Sequence, residues 1–170
     1  GDDQSNPFPS FLGNPINDIF LFRNRLGFLS GENAIFSEAG EYYNFFRTTT
    51  AALLDTSPID VQASTNKVSI LRSATPYHEK LILFSDQTQF ILDGEPFLSP
   101  RTVTLSPANE VVSIPGVNPV VAGGSMYFPF LRAGFSGIGE IKPSTTEADV
   151  LESSDSTAHI PKYIAGNITK

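Results

Sequence analysis

The residues able to do chemistry are few, and their spacing does not demand any. The two histidines, His78 and His159, lie far apart in the chain, and His78-Glu79 is a pair rather than the His-Glu-x-x-His pattern that puts two ligands on one helical face. A metal site needs several converging ligands, so the ordinary place for either histidine is a strand edge or loop. Cysteine is absent, which removes thiolate nucleophiles, disulfides and cysteine-based metal sites. The stretch Gly123-Gly124-Ser125-Met126-Tyr127 lacks the closing glycine of a nucleophile elbow and reads as a turn entering a strand. Glu38, Asp86, Asp93 and Glu95 are carboxylates that could pair across a cleft for glycoside cleavage. Their simpler role is turn-making. Gly27, Gly31 and Gly40 do not form a dinucleotide fingerprint, and no phosphate-binding loop is present. The residues therefore imply no catalytic, metal-binding or cofactor-binding group, and no enzyme.

One constellation remains. Arg23 and Arg25 stand among Phe20, Phe22 and Phe28, a mixture that could stack on nucleic acid. The net charge of -7 argues against general affinity for phosphates, so the arginines are read as bracing a hairpin corner or a contact between subunits. Hydrophobic residues make up 40% of the chain and charged ones only 17%, below the roughly 25% usual in soluble domains. Such a surface suits contact with other protein. The apolar runs are too short for a spanning helix, so no membrane insertion by this segment is expected.

The elements that would position these residues read as strands. With fourteen Phe, five Tyr and no Trp, the core should be rings and β-branched residues, a composition that favours sheets. Residues 16–22 and 26–30 flank Arg23-Asn24-Arg25 as a strand, turn and strand. The plan recurs at 80–84 and 88–92 around Ser85-Asp86-Gln87. It returns at 125–128 and 133–137, with Pro129-Phe130-Leu131-Arg132 as the turn. Phe22 and Phe28 share the spacing of Phe84 and Phe90, which makes these four the expected core of the repeated hairpins. Strands are also expected at 34–37, 60–63, 68–71, 101–105 and 110–114. Residues 41–46 could be strand or helical turn, and 51–54 a short turn of helix ended before Pro58.

The expectation is an all-β fold of antiparallel repeated hairpins. It forms part of a β-propeller-like domain in which each unit hides its apolar face against its neighbours, with a β-sandwich as the alternative. The organisation expected is a Pro-rich extended arm at 1–15, a hairpin-repeat domain at 16–141, and a polar loop with a C-terminal anchor at 142–170, where 159–164 offers apolar contacts.

The run from Leu21 to Asn33, which contains Arg23-Asn24-Arg25-Leu26-Gly27-Phe28, resembles the tail tubular protein B (tail nozzle) family of short-tailed bacteriophages. The resemblance includes Asn6-Pro7-Phe8-Pro9-Ser10-Phe11, Tyr43-Asn44-Phe45-Phe46, Ser57-Pro58-Ile59-Asp60-Val61 and Phe84-Ser85-Asp86-Gln87-Thr88-Gln89-Phe90, and runs to 159–164. It implies a structural virion protein of the phage tail, assembled in the host cytoplasm and active in tail assembly and genome ejection. It further implies a ring of copies of itself, contact with other phage tail proteins, and phage DNA passing through the lumen without specific binding. The competing reading is a carbohydrate- or receptor-binding module with Tyr42, Tyr43 and Tyr127 as stacking residues. A tail-associated glycan hydrolase is a further alternative.

Overall fold

The computed structural model describes residues 6–147, 150–159, 164–166 and 168–169. Fourteen strands are formed among them, gathered into three antiparallel sheets. Sheet 1 is a meander of β1 (Asp18–Phe22), β2 (Arg25–Ser30), β3 (Asn33–Phe36) and β4 (Ile59–Gln62). Sheet 2 repeats that order with β5 (Leu71–Tyr77), β6 (Lys80–Ser85), β7 (Gln89–Gly94) and β8 (Val103–Asn109).

Sheet 3 has β11 (Ser125–Arg132) and β12 (Phe135–Pro143) at its centre. Each flanking position is shared by two short strands. β9 (Val112–Ser113) and β10 (Val120–Ala122) both pair β11, while β13 (Leu151–Asp155) and β14 (Ile164–Ala165) both pair β12. Each sheet is thus four strand positions wide.

Tight turns set the register. In all three sheets the first strand passes to the second through two residues at positive φ: Arg23-Asn24, His78-Glu79 and Gly123-Gly124. This backbone matches the twist of the strands it joins, and glycine supplies it without strain at the third site only. Counting from these turns aligns the sheets residue by residue. Leu26, Leu81 and Met126 are equivalent, as are Phe28, Leu83 and Phe128.

Alternation then decides the packing. In β6, Leu81 and Leu83 point into a cluster shared with Phe20, Phe22, Leu29 and Phe36 of sheet 1. Ile82 and Phe84 point the other way, into a cluster shared with Met126, Phe128, Phe130 and Ile141 of sheet 3. Sheet 2 is therefore the filling between two others, which is why its central strand reads as the unbroken apolar run Leu-Ile-Leu-Phe. The stacking has one sense. In sheets 2 and 3 the second and fourth residues after the first turn face the preceding sheet.

A glycine device recurs in the outer sheets. Phe20 lies across from Gly27, Phe128 from Gly139 and Phe130 from Gly137, and each ring occupies the space where its partner's Cβ would stand. Aromatic cover of a facing glycine lets the ring lie flat on the sheet.

Several expected boundaries move. Pro129-Phe130-Leu131-Arg132 is not a turn: β11 runs through it, and the turn is Ala133-Gly134, both at positive φ. The proline is tolerated because the flanking position passes from β9 to β10 beside it, where Pro129 only accepts, its carbonyl taking the Ile114 N–H at 3.4 Å, and no N–H is required of it. Residues 51–54 form a bend and irregular chain rather than helix, and 41–46 contribute only the bridge Glu38 to Glu41. Residues 68–70 precede β5, whose seven residues include the edge-strand Pro76. The stretch 142–170 supplies β13 and β14 to sheet 3, while 160–163 of the expected C-terminal anchor lies outside the described residues.

Candidate functional site

Arg25 opens β2, and its side chain lies in the seam between sheets 1 and 2 at 1% exposure. Its Nη1 donates to the carbonyl oxygens of Ser37 (2.7 Å), Thr56 (3.2 Å) and Ser57 (2.9 Å). Its Nη2 donates to those of Asp55 (2.8 Å) and Leu98 (3.3 Å). One guanidinium thus gathers the end of sheet 1, the long 38–58 loop and the loop after β7. Burial lowers its pKa, with the charge of Glu38 acting in the opposite sense. Carbonyl dipoles solvate the cation in place of water.

Arg23 stands at the first turn and reaches across to sheet 2. It donates to Gly94 O and Glu79 O, both at 2.7 Å, and lies 3.6 Å from Asp93 and 3.7 Å from Glu95. Asp93 also pairs with Lys80. Burial pushes Asp93 upward, but the ammonium of Lys80, the Gly94 N–H and the Arg23 guanidinium more than offset it and hold the carboxyl below its ordinary range. Between Arg23, Glu79 and Glu95 on one side and Leu21, Phe97 and Leu98 on the other opens a cleft of about 750 Å³.

The four phenylalanines do not form one layer. Phe22 and Phe90 belong to the first cluster and Phe84 to the second. Phe28 is half-buried on the opposite face of sheet 1, stacked on Phe45 at 5.0 Å and edge-on to Phe11 at 5.2 Å. The sequence match between 22–28 and 84–90 compared strands one and two of sheet 1 with strands two and three of sheet 2, which are not equivalent positions.

The arm and the 38–58 loop form a cap on that face. Ser10 donates to Asp60 through its N–H (2.8 Å) and its hydroxyl (2.6 Å), Pro9 is buried, and Asp60 also accepts from Asn33. Gly40 N–H donates to Asn24 O, and Tyr42 Oη to Asn24 Oδ1. Sequence reading missed this cap. Its signal was the rings Phe8, Phe11, Phe45 and Phe46, which pair as Phe11 with Phe45 and Phe8 with Phe46 inside segments otherwise rich in Pro, Asn and Thr.

The other groups weighed for chemistry are engaged locally. Asp86 holds Arg72 through two hydrogen bonds of 3.0 Å, and Glu38 accepts from Asn44. His78 and His159 are both exposed. Among the described residues no group of three His, Cys, Asp or Glu side chains is placed to hold a metal ion, and no helix is long and apolar enough to cross a membrane. Tyr127 donates to Glu140 and Tyr42 to Asn24, while Tyr43 is 96% exposed.

Arg23 and Arg25 are thus spent on joining sheets, the arrangement of a structural protein. The comparison with known proteins makes the class specific: the chain matches the Bacteriophage nozzle protein family over residues 1–170, and it belongs to that family. It is 40% identical over 168 residues to the tail tubular protein gp12 of Escherichia phage T7, an alignment that covers 99% of this chain. The chain spans about a fifth of that relative, 21% of its length. The protein is accordingly a structural component of the phage tail in the virion.

Proposed function

We propose that these residues build part of the wall of the tail nozzle, as three consecutive blades of a β-propeller-like stack. In this reading the nozzle assembles as a ring of copies, contacts other tail proteins, and lets DNA pass without specific binding during ejection. The observation that carries it is the same-sense stacking of three antiparallel sheets, each four strand positions wide, with the middle one buried on both faces. A unit that hides its face only against its neighbours is the logic of blades. The net charge of -7 suits a lumen that repels DNA rather than holding it. Phe22, Phe84 and Phe90 fill the seams, Phe28 holds the cap, and Arg23 and Arg25 brace the corner where sheets 1 and 2 meet.

Size-exclusion chromatography with light scattering, on this chain and on the full reading frame, tests the reading. The expected outcome is a ring from the full frame and a monomer from residues 1–170. Failure of both to associate across salt and concentration would remove the nozzle-wall role, and binding of Tyr43 to immobilised glycans would then favour the carbohydrate module.

A further inference from the structure

The fourth strand of sheet 1 leaves one edge open. β4 pairs only with β3, and Ala63 N–H donating to Glu32 O at 2.9 Å fixes the phase of their ladder. The backbones of Ile59 and Val61 therefore turn toward β3, and those of Asp60 and Gln62 turn outward. Over this edge runs a groove of about 360 Å³, lined by Asp60 on one face of β4 and by Ile59 and Val61 on the other, with Phe8 of the arm and Val103 of sheet 2 as its walls. Phe8 is 63% exposed although its ring meets Phe46 edge-on at 6.1 Å. The fourth strand of sheet 2 differs. Pro107 and a register shift spoil the β8 edge for a newcomer, the ordinary protection of an unpaired strand, and β4 has neither.

We propose that the β4 edge receives an extended segment of another tail protein, which adds a strand to sheet 1, sets apolar side chains on Phe8 and Val103, and brings a carboxylate to Arg47. This rests on the nozzle-wall reading and names the surface and the chemistry of its partner. Outward N–H and C=O groups beside an apolar groove are what strand addition uses: the backbone supplies affinity, and seats for alternate side chains supply selectivity. Charge sets the sign of the partner. Arg47 lines the groove, and among the described residues its guanidinium makes no hydrogen bond or ion pair. Asp60 is engaged at both oxygens, Oδ2 by the N–H and hydroxyl of Ser10 and Oδ1 by Asn33. An incoming carboxylate thus finds a free cation, whereas an incoming lysine finds no free acid. A second copy of this chain fits less well. Two β4 edges laid antiparallel bring Asp60 near Asp60, in chains that each carry a net charge of -7.

A photoreactive p-benzoylphenylalanine in place of Phe8 sits in the groove, and the same group in place of Val68, an exposed residue that does not line it, is the control. Each is introduced into the full reading frame, assembled tails are irradiated, and the cross-linked peptides are identified by mass spectrometry. Position 8 should join a different tail protein, at a peptide with Asp or Glu among apolar residues, and position 68 should not reach that peptide. Arg47→Glu should lower the yield about tenfold, with Arg47→Lys retaining most of it. Amide hydrogen exchange on the unsubstituted protein gives a second readout. Asp60 and Gln62 should exchange about tenfold more slowly in assembled tails than in the free full-length protein. An adduct confined to the same subunit or to a neighbouring copy would overturn the proposal, as would a yield indifferent to Arg47→Glu, or assembled tails with neither adduct nor protection at 60 and 62. Light scattering on the full-length protein reports ring formation separately, so a ring whose β4 edge stays unprotected in the tail defeats this inference and spares the nozzle-wall reading.

Discussion

The seam between sheets 1 and 2 and the seam between sheets 2 and 3 solve one problem with different chemistry. Both have an apolar centre built from alternate residues of β6. At the rim, both fill the same slot, the carbonyl of the second residue in the next sheet's tight turn. Arg23 of sheet 1 donates to Glu79 O, whereas Tyr77 Oη of sheet 2 donates to Gly124 O. The first seam is then reinforced by Asp93, Lys80 and Glu95, and by the carbonyl cluster around Arg25. The second is closed by a neutral hydroxyl. Geometry fixes which backbone group needs a donor, and the sequence is free to choose a charged or an uncharged one.

The largest effect expected lies in the apolar centre, where the two seams should behave alike. Phe90→Ala in the first and Phe130→Ala in the second should each cost about 3 to 5 kcal/mol, the range for emptying a buried ring. Both rings are 2% exposed or less. Urea unfolding of the two variants checks this, and a loss well below 1 kcal/mol at either site would mean that its seam is not a packed core. Next comes Arg25→Met, which keeps volume but strands buried carbonyls. Each unpaired acceptor costs on the order of 1 to 3 kcal/mol, so the first seam should lose roughly 3 kcal/mol, and Arg25→Lys should recover only part because an ammonium lacks the planar fork.

A smaller effect separates the glycines. Gly139→Ala would push a methyl group into the ring of Phe128, at a cost of about 1 to 3 kcal/mol for overpacking, and Gly27→Ala should do the same against Phe20. Gly116→Ala, where no atom lies within 4 Å of the added methyl group, should be destabilised only by its positive φ. Thermal melts of the three variants test whether glycine at 27 and 139 is there for the ring or for the backbone.

The sequence made the class of fold legible because alternation and turn chemistry are local. β2, β3, β6 and β7 appear close to where they were expected, although the burial of Leu81 to Phe84 on both sides was not read from the run. What it hid was non-local. β5 was missed because Arg72, Ser73, Thr75 and Pro76 look like loop, and only an edge position tolerates that proline. The true repeat is carried by three turns whose residues, Arg-Asn, His-Glu and Gly-Gly, share a backbone conformation and no chemistry. Arg25 was expected to brace a hairpin corner or a contact between subunits, and its acceptors are carbonyls of residues 37, 55, 56, 57 and 98, which no spacing rule connects. The two-sheet nature of the Arg23 contact was equally invisible, since Gly94 lies far along the chain.

The finest contrast between the seams is their response to pH. Asp93 is held below its ordinary carboxylate range, so its contribution is complete above the unfolded value near 3.9 and is lost as the pH falls through its folded value. Tyr77 is displaced the other way. Burial raises its pKa, with the charges of Glu140 and Tyr127 adding to the shift, so its contribution is complete below about 10 and is lost as the pH rises through its folded value. Acid should therefore loosen the first seam and alkali the second. Asp93→Asn should flatten only the acid limb of a plot of unfolding free energy against pH, and Tyr77→Phe only the alkaline limb, each changing mid-range stability by about 1 kcal/mol. If instead both variants flattened the same limb, the two rims would be one coupled network running through β6, and the division of labour between a charged and a neutral clasp would not hold.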